Sequence, residues 1–104
     1  MSIDVKRKGK TARVSLAGEL TIYTVAEIKA GLAEAMEGSK DIEVDLSGIT
    51  ETDTAGLQLM LIAKRSPGTE VRFVNHPAAV LRLVDLANLG GVLGDPLVIS
   101  ATEA

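Results

Sequence analysis

Residues 42–65 read IEVDLSGITETDTAGLQLMLIAKR. The first part alternates: Ile42, Val44 and Leu46 fall on one side, Glu43, Asp45 and Ser47 on the other. A period of two marks a strand with one buried face, and this strand runs into Ser47-Gly48. The second part has a different character. Residues 55–65 are apolar almost without a break, as in a helix packed inside a domain, and Ser66-Pro67-Gly68 ends the run. Between the two lie Glu51, Thr52, Asp53 and Thr54, a cluster of acids and hydroxyls set against a very apolar helix.

The flanking sequence repeats this strand-then-helix pattern. Upstream, Ala12, Val14 and Leu16 alternate with Arg13 and Ser15, and Ile3-Asp4-Val5 precedes them. Lys8-Gly9-Lys10 suits a hairpin turn, so the first two strands are expected to be antiparallel neighbours. Thr24-Val25-Ala26-Glu27 has the capping-box pattern. Val25, Ile28, Leu32, Ala35 and Met36 then make one helical stripe, with Gly38 as its stop. Downstream, residues 70–74 form a strand around Val71 and Phe73. Pro77 suits the first turn of a last helix, with a stripe of Val80, Leu83, Val84 and Ala87, closed by Gly90-Gly91. Leu97–Ile99 allows a short final strand before a polar tail. The order ββαβαβα predicts a single α/β domain over residues 1–104. Its core is a mixed sheet of four to five strands, with helices packed mainly on one face.

Composition removes several functional classes. Hydrophobic residues make up 46% of the 104 residues, which supports a packed core. Fourteen Asp and Glu against 11 Lys and Arg give a net charge of −3, and aromatics are 2%. A nucleic-acid binder carries a basic excess or stacking aromatics, so no nucleic-acid partner is expected. The cluster Lys6-Arg7-Lys8 with Lys10 reads as a solvated hairpin. There is no cysteine, which removes thiolate and disulfide chemistry. The N-terminus lacks the apolar core of a signal peptide, and no apolar run approaches membrane-spanning length. The expectation is a cytoplasmic protein that does not insert into membranes.

Catalytic signatures are equally sparse. Gly9-Lys10-Thr11 looks like the tail of a phosphate-binding loop, but Asp4 stands where its first glycine belongs and no helix follows. His76 is the single histidine, and no GxSxG elbow supplies a nucleophile. The spacing of Glu19, Asp41 and Asp45 does not require them to pair. No catalytic residue, metal site or cofactor is expected, and the chain is not read as an enzyme.

Thr54 has a structural role open to it: a hydroxyl at a helix start caps a backbone N–H, worth ~1 kcal/mol. The surrounding residues suggest a second role. Asp45, Leu46, Ser47, Asp53, Thr54, Gly56 and Leu57 resemble the signature of the STAS domain of bacterial anti-sigma factor antagonists, a D-L-S strand followed by D-S/T-x-G-L at a helix start. Leu16-Ala17-Gly18-Glu19-Leu20 is similar to the family's G-E-L segment. Val74-Asn75-His76-Pro77 and the helix through Leu89-Gly90 resemble its closing part. The likeness covers residues 11–91 and leaves 92–104 for the short strand and tail.

The resemblance implies a non-enzymatic signalling module that binds a partner serine kinase, the anti-sigma factor, with Thr54 as the phosphoacceptor. It also allows a constitutive subunit on the ATPase of an ABC-type phospholipid transporter, whose STAS proteins share the D-T-x-G form, or an adaptor in a chemotaxis-type cluster. Small-ligand sensing, known for other STAS architectures, would need a pocket that no glycine-rich loop or aromatic box announces. Two positions depart from the pattern: Ala55 replaces a second hydroxyl found in many members, and Thr21 stands where an Asp often follows G-E-L.

A helical wheel puts Ala55, Gly56, Leu59, Ile62 and Ala63 on the sheet side, with Met60 at its edge. Leu57 and Leu61 then face away, among Gln58, Lys64 and Arg65, like the core of a binding patch. A differently rolled helix would bury both leucines instead. The expected partner-contacting set is Asp53, Ala55, Gly56, Leu57, Gln58, Leu61 and Thr21, around Thr54.

Overall fold

The computed structural model describes residues 2–86. Strands β1 (Ser2–Lys8) and β2 (Thr11–Leu20) are followed by helix α1 (Val25–Met36), β3 (Asp41–Thr52), α2 (Thr54–Lys64), β4 (Glu70–Val74) and α3 (Ala78–Leu86). The strands form one sheet in the order β1-β2-β3-β4. The β1–β2 hairpin is antiparallel, whereas β2–β3 and β3–β4 are parallel. This is the expected mixed α/β sheet with four strands. The expected strand at Leu97–Ile99, Ala87 of the last stripe and the Gly90-Gly91 stop lie outside the described residues.

Period-two alternation decides which face is covered. Ala12, Val14 and Leu16 of β2, Ile42, Val44 and Leu46 of β3, and Val71 and Phe73 of β4 are all buried. They join Ile28, Leu32 and Ala35 of α1, residues of α2, and Val80 and Val84 of α3 in one core. The intervening residues Arg13, Ser15 and Ala17 are exposed on the other face. Burying roughly 19 such side chains, at about 1.5–3 kcal/mol for each large one, is the main force holding the layers together.

The strand β3 runs further than its alternation suggests, through Gly48 to Thr52. Gly48 and hydroxyl residues signal a turn locally, but β2 continues alongside and pairs Ala17 with Gly48 and Leu20 with Thr52. Register shifts between Ser15 and Ala17 and between Gly18 and Glu19 absorb the mismatch. They change the phase, so that Leu46 and Ile49, three apart, are both buried. A Cβ on Gly48 would lie 2.6 Å from the Leu16 carbonyl oxygen, so the close approach of the two backbones requires glycine.

Two helix starts differ from expectation. Thr24 occupies the N-cap position of α1, but its side chain makes no capping bond. Its hydroxyl accepts from the Thr21 N–H (3.0 Å) and donates to the Glu19 carbonyl (2.9 Å). The capping box is replaced by a turn in the preceding loop. For α2, the N-cap is Asp53 and Thr54 is the first helical residue. An Asp and a Thr side by side compete for the cap, and the carboxylate, accepting two N–H groups at once, holds it.

The helix α2 is also rolled relative to the wheel, by roughly 70° at 3.6 residues per turn. Its buried residues are Gly56, Leu57, Leu59, Met60 and Ala63. Leu57 is only 4% exposed and Leu61 packs against the core, whereas Ile62 is 54% exposed. The expected exposed pair of leucines is therefore corrected: the outward stripe is Thr54, Gln58, Ile62 and Arg65. Gly56 sets the roll. A Cβ there would meet the Leu20 carbonyl oxygen at 2.5 Å and the Thr52 hydroxyl at 2.6 Å, so the helix rests its glycine on the end of β2. The helix contacts both α1 and α3, and Leu57 belongs to the common core with Leu61 packed against it.

Candidate functional site

The site is built where β2 and β3 end together. The Thr52 hydroxyl donates to the Leu20 carbonyl at 2.9 Å, and the Asp53 N–H reaches the same oxygen at 3.3 Å. This brings Asp53 beside the loop that joins β2 to α1. Its Oδ1 accepts from the N–H groups of Ala55 (3.0 Å) and Gly56 (3.2 Å), and its Oδ2 accepts from the Ile22 N–H (3.0 Å). One carboxylate thus caps α2 and straps a segment 31 residues away onto the helix start. The Ile22 N–H bond, with those from Gly56 and Ala55, holds the Asp53 carboxyl below its usual range, against an opposing effect of desolvation.

With the cap taken by Asp53, the exposed Thr54 side chain accepts or donates no hydrogen bond among the described residues. It stands at the first position of α2 as an accessible secondary alcohol. Gln58, one turn on, is also exposed. The remaining expected contact residues have other positions. Asp53, Ala55 and Leu61 are half-buried, and Gly56 and Leu57 are buried.

Thr21, expected at the partner edge, is 7% exposed and organises the loop instead. Its carbonyl accepts from the N–H groups of Thr24 (3.0 Å) and Val25 (2.9 Å), and its hydroxyl accepts from Tyr23 (3.3 Å). The loop presents Ile22, 65% exposed, and Tyr23, 91% exposed. Sequence reasoning missed these two. The available signal was that they are apolar, precede the helical stripe beginning at Val25, and belong to no strand alternation.

The other signature aspartate does a different task. Asp45 Oδ1 accepts from the Ser47 N–H at 2.9 Å, which fixes the backbone just before Gly48. That bond, chiefly, holds the Asp45 carboxyl below its usual range; desolvation opposes it, while Asn75 and the Arg13 charge assist. Arg13 lies 3.7 Å from Asp45 and 3.4 Å from Glu43. Among the described residues, no three His, Cys, Asp or Glu side chains converge to hold a metal ion. Lys10 and Thr11 belong to the β1–β2 hairpin, so no helix N-terminus receives a phosphate there. His76 lies half-buried between β4 and α3. No described helix is long and apolar enough to cross a membrane.

The step from β3 into α2 thus holds the residues whose spacing resembles the STAS signature: Asp45 beside the irregular stretch of β3, Asp53 at the cap and Thr54 exposed at the first helical position. A family model described as Mlab, STAS domain matches residues 3–98, and the chain belongs to that family. It is 23% identical over 97 residues to the anti-sigma-B factor antagonist of Bacillus subtilis (strain 168), covering 89% of this chain and 88% of that protein. Among solved structures it resembles an anti-sigma factor antagonist from Mycobacterium paratuberculosis, with a TM-score of 0.77 at 20% identity, covering 96% and 86% of the two chains. The anti-sigma factor antagonist SpoIIAA in its unphosphorylated form gives 0.68 at 19%, over 86% and 84%. At these identities the structural likeness is one of fold.

Proposed function

We propose that this chain is a cytoplasmic, non-catalytic regulatory module that docks a protein partner, a serine kinase acting as anti-sigma factor, and that phosphorylation of Thr54 releases the partner. The docking surface is the start of α2 with the β2–α1 loop. The observation that carries this reading is the exposed Thr54 hydroxyl, which its neighbour Asp53 relieves of the capping role. The relatives named as anti-sigma factor antagonists support the same class of function, and SpoIIAA has been solved in both unphosphorylated and phosphorylated forms.

The energetics suit a switch. A phosphate on Thr54 adds roughly −1.5 to −2 charges beside Asp53 and near Glu51. At ~7 Å and an effective dielectric of about 40, each full charge pair costs about 1 kcal/mol. The α2 dipole returns ~0.3–2 kcal/mol, so the isolated fold tolerates the group. Burial of that charge against a partner with no matching cation costs ~3–5 kcal/mol, a few hundred-fold or more in affinity.

The test is a pull-down from native-host lysate with wild type, Thr54→Val and Thr54→Glu, together with peptide mapping of the endogenous protein. The expected result is a serine kinase recovered by wild type and Val but not by Glu, with phosphate on the Thr54 peptide. Recovery of a transporter ATPase by all three proteins, with no phosphate found, would replace this reading with that of a constitutive subunit.

A further inference from the structure

The chain contains one Phe, one Tyr and no Trp. Phe73 is in the core, and Tyr23, the remaining aromatic, is the most exposed of the large apolar side chains among the described residues. It does not sit on a slack loop. The Ile22 N–H is bound by Asp53, the Tyr23 N–H by the Thr21 hydroxyl, the Thr21 N–H by the Thr24 hydroxyl, and the Thr24 N–H by the Thr21 carbonyl. Ile22 and Tyr23 are thereby held in solvent at the same helix start that carries Thr54. A large apolar side chain on a backbone already ordered loses little entropy on binding, which is what an interface anchor requires.

The charges around this loop narrow the choice of partner. Glu19, at the base of the loop, stands directly opposite Glu51 across the β2–β3 pair. Like charges opposite each other destabilise a sheet, and neither forms an ion pair among the described residues. Arg82 of α3 lines a cleft with Glu51 without pairing with it. The basic residues Lys6, Lys8 and Lys10 lie at the opposite end of β2, around the hairpin. Among the described residues Glu19, Glu51 and Asp53 outnumber Arg82 at the Tyr23 end, a poor match for phosphates of nucleic acid or anionic lipid.

We propose, resting on the docking reading above, that Tyr23 with Ile22 anchors the contact, and that the partner protein offers an apolar pocket rimmed by Lys or Arg facing Glu19 and Glu51. The rim steers encounter for either state of Thr54, while release is decided where the phosphate would have to be buried.

The test places p-benzoylphenylalanine at position 23, at Gln58 or at Ser15 on the open sheet face, in the full chain in its native host. Irradiation is followed by sequencing of the cross-linked peptides. The expected result is an adduct from position 23 and not from 15, to an apolar segment with Lys or Arg beside it in the partner. Its yield should fall about five- to tenfold in the Glu19→Gln/Glu51→Gln protein, whose thermal stability should be equal or higher. Cross-linking from 58 but not from 23, a segment without basic neighbours, a yield indifferent to the two Gln changes, or an adduct to a second copy of this chain would overturn the proposal and leave the docking reading standing. Silence at both 23 and 58 would defeat both.

Discussion

Asp45 and Asp53 stand eight positions apart in one signature, and both carboxylates are held below their usual pKa by backbone N–H groups. They differ in reach. Asp45 accepts from Ser47, two residues away, and fixes the bulge inside β3. Asp53 accepts from its own helix and from Ile22, so it fastens two chain segments into one surface. The same chemical device gives local geometry in one place and a composite site in the other. Only the second can make Thr54, Ile22 and Tyr23 a single unit.

The largest effect expected is that of Asp53→Ala. It removes a cap worth ~1 kcal/mol and a charge-assisted bond to Ile22 worth about 1.5 kcal/mol, so urea unfolding should show a loss of about 2–3 kcal/mol. The Ile22 amide should exchange faster by hydrogen-exchange NMR; unchanged Ile22 protection would break the comparison. Gly56→Ala comes next. Helix propensity favours Ala by up to about 1 kcal/mol, but a Cβ pressed on the Leu20 carbonyl oxygen costs roughly 2–3 kcal/mol. A net loss of about 1–2 kcal/mol is expected by thermal melting.

Asp45→Ala should cost about 1 kcal/mol, the worth of the Ser47 bond, since the exposed Arg13 pair adds little. Unlike Asp53→Ala, it should leave Ile22 exchange alone. Acid should act on both sites with the same sign. Each folded pKa lies below the ordinary aspartate value, so between the two the native state binds fewer protons than the unfolded chain. The stabilisation is therefore present above the unfolded value and lost as pH falls through the folded one. Stability measured from pH 6 to pH 2.5 should fall less steeply in Asp53→Asn than in wild type. The smallest effect is that of Thr54→Ala, within about 0.5 kcal/mol of wild type, because Thr54 does not carry the cap. A loss near 2 kcal/mol would return Thr54 to a structural role.

The sheet was legible because alternation has contrast: Val14 between Arg13 and Ser15, Val44 between Glu43 and Asp45. The roll of α2 was not, since Leu57, Leu59, Met60, Leu61 and Ile62 are apolar on every side and a wheel cannot rank them. There the decision came from Gly56 meeting β2, a tertiary contact. The far end of β3 carried turn-forming residues that pairing with β2 overrode. Signature spacing located Asp53 and Thr54, but which of them caps depended on backbone geometry. Ile22 and Tyr23 escaped notice because exposure of an apolar pair follows no period. Their significance rests on a hydrogen bond that the Ile22 N–H donates to Asp53, 31 residues away.

The most direct test of the central claim compares unmodified protein with protein phosphorylated stoichiometrically at Thr54, each titrated by calorimetry against the kinase recovered from the native host. The phosphate should weaken binding a few hundred-fold or more, with the melting temperature of the isolated protein nearly unchanged. Affinities equal within twofold would contradict it and leave Thr54 as a contact residue without a switch.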